Sequence, residues 1–84
     1  MTTLDEERIK ILTEAHEHRK REVMHHQINI DNYTLALAEI AEKHPEDAVM
    51  LTFANQLQGL LESSIVEQAK EVVMRDVMAQ QLAG

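Results

Sequence analysis

Lys43-His44-Pro45-Glu46-Asp47 is the stretch that decides the fold. Proline cannot occupy a helix interior, is favoured at a helix's first position, and pushes the residue before it out of the α region. Glu46 and Asp47 then suit the positive N-terminal end of a new helix. The stretch therefore predicts one helix ending near Lys43, a turn at residues 44–45, and a second helix from about residue 45 to residue 82. At the other end, Thr3-Leu4-Asp5-Glu6 reads as a capping box, with Thr3 capping the first helix and Glu6 reaching back. The expectation is a single all-α domain over residues 1–84, a long two-helix antiparallel hairpin with coiled-coil character.

Two helices of about 38 residues each span about 57 Å at 1.5 Å per residue, a length that belongs to coiled coils and bundles. Glu6–Lys10, Glu17–Arg21, Glu39–Lys43 and Glu71–Arg75 are spaced to pair along the helices. Two stretches threaten helical continuity: the lone Gly59, and Gln27-Ile28-Asn29-Ile30-Asp31-Asn32, where β-branched and Asn/Asp residues weaken helical preference.

The first helix carries an unbroken heptad frame through Ile9, Leu12, His16, Arg19, Val23, His26, Ile30, Tyr33, Leu37 and Ile40. Folding the chain back at Pro45 places Ile40 by Met50, Leu37 by Phe53, Tyr33 by Leu57 and Ile30 by Leu60. It also places His26 by Ser64, Arg19 by Glu71, His16 by Met74 and Leu12 by Met78. Apolar rows meet apolar rows. His16, Arg19, His26, Ser64 and Glu71 form a polar layer in the middle, which fixes register at a cost in stability. A buried neutral His16 or His26 would charge between about pH 7 and 5 and weaken assembly.

One seam leaves apolar residues over. Met24, Ile28 and Leu35 form a second stripe on the first helix, and Val66, Val73 and Val77 form one on the second. Two helices alone bury a narrow strip, so these six residues are expected to line an interface that makes a homodimeric four-helix bundle.

Composition bounds the chemistry. The chain has no cysteine, which fits a reducing cytoplasm and removes disulfides and thiolate metal sites. Its acidic, polar start lacks the pattern of a secretory signal, and no apolar run of membrane-spanning length occurs. The net charge of −7 opposes non-specific contact with nucleic acid or anionic lipid. No Gly-rich phosphate loop is present, and Ser63-Ser64 have no base at fixed spacing, so no enzyme and no cofactor are expected.

Two constellations point elsewhere. Glu22 and His25 make a Glu-x-x-His pair, and with Glu67 they are the candidate metal ligands of a doubled bundle. Arg19, Lys20 and Arg21 form the centre of a basic band from Arg8 to Arg21 that a helical dimer could present to a polyanion. In architecture, though not in sequence, this resembles the plasmid RNA-binding Rop type. Glu14, Glu17 and Glu22 interleave with those bases, and no aromatic lies near to stack on a nucleobase. The preferred expectation is a small acidic, phage-like accessory protein, a cytoplasmic regulator or inhibitor that binds another protein.

Overall fold

The helix boundaries follow from the turn chemistry. A computed structural model describes residues 3–84, with side chains from residue 5 onward. Helix α1 spans Thr3–Lys43 and helix α2 spans Ala48–Ala83. They pack into an antiparallel hairpin measuring 65 × 16 × 14 Å, and no strand occurs among the described residues.

α2 starts at Ala48, three residues later than Pro45 suggests. His44 would have been the cap for a helix beginning at proline, and its ring is a poor one. Asp47 takes the position with extended backbone, φ −81° and ψ 113°. Its carboxylate accepts from the amides of Val49 at 2.9 Å and Met50 at 3.1 Å, satisfying two of α2's unpaired donors. Behind the turn, the His44 amide donates to the Ile40 carbonyl at 2.8 Å and closes α1. The Thr3 capping interaction lies outside the described side chains.

Neither suspected break occurs. α1 runs through Gln27–Asn32, where the Gln27 amide donates to Asp31 one turn on, at 3.0 Å. α2 runs through Gly59, and Gln58 reaches Glu62 across it at 3.3 Å. Among the four spaced ion pairs, Glu39–Lys43 forms, at 2.7 Å. Glu17 instead takes Lys20, Glu71 turns inward to Arg19, and Arg75 meets Asp76. Glu–Lys neighbours at three and four residues compete on a helix, and a cross-helix partner outbids both.

The seam of α1 is the heptad frame. Leu12 through Ile40 at those positions are half-buried or buried, while Ile9, at the open end, is 45% exposed. On α2 the inward residues are Met50, Ala54, Leu57, Leu61, Ser64, Gln68, Glu71, Arg75 and Met78. Every second one differs from expectation. Phe53, Leu60 and Met74, expected opposite Leu37, Ile30 and His16, stand 45%, 48% and 39% exposed. Their successors Ala54, Leu61 and Arg75 face inward instead. α2 carries apolar residues at both alternatives, so hydrophobic pattern does not choose between them. The rotation that is adopted aims Gln68 at α1, where it finds two acceptors, and sets small Ala54 at the inner position near the turn.

Candidate interaction surface

The middle of the hairpin is polar, and the polar groups hold its register. The Arg19 guanidinium nitrogen Nη1 donates to both oxygens of Glu71, at 3.0 and 2.9 Å, with Glu71 15% and Arg19 32% exposed. The Gln68 side-chain amide donates to the Val23 carbonyl at 3.2 Å and to Gln27 Oε1 at 2.8 Å. At the open end Arg8 donates to Gln81 at 3.2 Å. All three contacts obey one register, in which a step along α1 is matched by an opposite step along α2. His16 and Ser64 sit half-buried in the same layer. His26 stacks on His25, with ring centroids 6.1 Å apart, and its Nδ1 is enclosed with no hydrogen-bond partner.

Of the candidate metal ligands, Glu22 and His25 lie close on α1, while Glu67 is engaged on α2, and the three form no ligand set. Glu22 lies 4.0 Å from His25, and Glu67 is bonded to Lys70 at 2.9 Å. The Lys70 ammonium, by hydrogen bond and by charge, holds the Glu67 carboxyl below the usual carboxylate range, and His26 adds a smaller pull. No group of three His, Asp or Glu side chains among the described residues could hold a metal ion. Of the basic band, Arg19 turns inward to Glu71, while Lys20 pairs with Glu17 on the exposed surface of α1 and Arg21 is exposed beside it.

The apolar stripes are exposed but do not share a face. Met24, Ile28 and Leu35 are 62%, 51% and 68% exposed, on the side of α1 turned away from α2. Val66, Val73 and Val77 are 55%, 60% and 41% exposed, on the side of α2 turned away from α1. Met24 and Val66 lie at one level along the rod, as the register requires, but on opposite outer faces. One flat partner surface therefore reaches only one of the two stripes.

The exposed apolar residues concentrate on α2. Besides the valines, Val49, Leu51, Phe53, Leu60, Ile65 and Met74 all stand well exposed. Sequence reasoning placed Phe53, Leu60 and Met74 inside the hairpin and so missed them as surface. The signal that could have found them is the lack of charge: residues 48–66 contain Glu62 and no other charged residue. A helix apolar all round is one that is covered all round. An open groove of about 530 Å³ runs beside Val66, Ala69, Lys70 and Val73, lined almost wholly by carbon. No helix among the described residues is long and apolar enough to cross a membrane. No protein-family model, no curated protein and no solved structure matches this chain.

Proposed function

We propose that this chain is a non-enzymatic interaction module that self-associates into a homodimeric four-helix bundle and, in that form, regulates or inhibits another protein in the cytoplasm. One observation carries the reading: among the described residues the hairpin buries Ile40 and Leu57 alone of its apolar side chains, while α2 exposes apolar residues on every side not facing α1. A chain of 84 residues needs more core than that to offset the entropy of ordering two long helices. A large exposed apolar surface on a small protein marks a surface to be covered. The acidic exterior then suits a basic protein surface, and the engagement of Arg19 by Glu71 and of Lys20 by Glu17 weighs against a polyanion as the target.

Light scattering on freshly purified protein tests the first claim. The expected mass is twice 9.6 kDa, and the melting temperature should rise with protein concentration. A strict monomer whose melting is independent of concentration would overturn the reading. The second claim concerns the acidic turn end: reversing Glu39, Glu42 and Glu46 to lysine should abolish binding to a basic protein surface, while the apolar contacts still give a mass of two chains.

A further inference from the structure

We propose that the second copy packs antiparallel along the outward face of α2, so that the two hairpin turns lie at opposite ends of the dimer. This rests on the self-association reading above, gives it a face, a direction and a register, and revises its shape: with α2 packed on α2, the four helices stand in a row with each α1 outermost instead of enclosing one shared core.

The face follows from α2 itself. Thr52, Gly59, Val66 and Val73 recur at seven-residue steps on the side turned away from α1, flanked by Leu60 and Met74. Gly59 is not required by the hairpin. It has no positive φ, and a Cβ built on it meets nothing within 4 Å. A mid-helix glycine costs about 1 kcal/mol against alanine, so a position open to alanine within the chain gains nothing from it there. A glycine does admit the close approach of another helix.

The register follows from symmetry. α2 runs Ala48–Ala83, and its midpoint falls between Ile65 and Val66, of which Val66 is on the outward face. An antiparallel overlap centred there buries the most length, and it sets Val73 of one copy level with Gly59 of the other. A β-branched side chain then meets the one position with room for it. The same overlap sets Glu62, the sole charge of residues 48–66, level with Lys70 of the second copy.

The direction follows from charge. Residues 23–67, the half of the rod nearest the turn, hold seven acidic residues against Lys43 alone, a net of −6. The remaining half holds eight acidic residues and seven of the eight basic ones, a net of −1. A parallel pair sets −6 beside −6 and each Glu62 level with its own copy. An antiparallel pair sets each acidic half beside the half that carries Arg8, Lys10, Arg19, Lys20 and Arg21.

The absence of native cysteine allows a clean single-label test. Glu46→Cys, carrying a spin label at the exposed turn, should give an inter-label distance of more than about 40 Å, from 1.5 Å per residue along the overlapped helices. A distance under about 20 Å, as for turns side by side at helix-packing separation, would overturn the antiparallel direction. Gly59→Leu, a substitution that favours helix, should raise the dimer dissociation constant about tenfold or more with helix content retained by circular dichroism. An unchanged dissociation constant would overturn α2's outward face as the interface. Light scattering on both variants and the parent keeps the two readings apart: a monomeric parent defeats self-association itself, whereas a dimer with adjacent turns defeats only the arrangement proposed here.

Discussion

His26 sits in the seam with Nδ1 enclosed and unpaired, on a ring otherwise packed against His25. A buried polar atom without a partner costs about 1–3 kcal/mol. His26→Leu should therefore stabilise the hairpin by about 1 kcal/mol, read as a higher midpoint in urea at unchanged slope. A lower midpoint would show that the imidazole has a partner in solution. Arg19 and Glu71 present the opposite case, a half-buried pair whose groups satisfy each other. Glu71→Ala should cost about 1–2 kcal/mol, because it strands the guanidinium in the seam. Replacing both residues by leucine should restore the stability of the parent or exceed it. A double variant as weak as the single one would mean that the pair contributes more than its own desolvation. The expected outcomes together would show a polar layer that fixes register at some expense of stability. Arg19–Glu71 was legible from the heptad frame and the fold-back, since a basic and an acidic residue fell opposite each other at inward positions.

At the scale of the helices, the cap decides where α2 begins. Asp47→Ala removes the acceptor for the amides of Val49 and Met50 and should cost about 1 kcal/mol, with faster hydrogen exchange at those two amides. Unchanged exchange there would show that Pro45 alone starts the helix. The sequence announced a turn and started the second helix at Pro45, counting Asp47 only as an acid suited to the helix N-terminus, and so missed it as the cap. The same kind of limit explains the seam of α2. Met50, Leu57, Ser64, Glu71 and Met78 belong to both possible heptad frames and were placed correctly. Phe53 against Ala54, Leu60 against Leu61, and Met74 against Arg75 are choices between neighbours, and a helix apolar on several faces gives no contrast to settle them. The frame of α1 was readable because charged residues fill the positions its apolar residues leave. The outer stripes were found as residues, but their common face was not. Level along a rod follows from residue number, whereas facing depends on which side each helix turns to the other.

For the whole molecule, the polar contacts between the helices join residues at similar distances, to within about five residues, from one turn. Gln68–Gln27, Gln68–Val23, Arg19–Glu71 and Arg8–Gln81 are separated by 41, 45, 52 and 73 residues. The two buried apolar side chains, Ile40 and Leu57, both lie in the half of the rod nearest the turn. Hydrogen exchange should therefore be slowest around Ile40 and Leu57 and fastest around Arg8 and Gln81, falling off steadily between them. Uniform protection along both helices would show instead that the rod opens all at once. The gradient also bears on how the chain folds. Each contact made near the turn shortens the loop that the next one must close, so the entropic cost of closure is met in small steps. A rod 65 Å long, closed at its open end by a contact 73 residues apart, is thereby expected to assemble through local moves, with the turn at Pro45 as its nucleus.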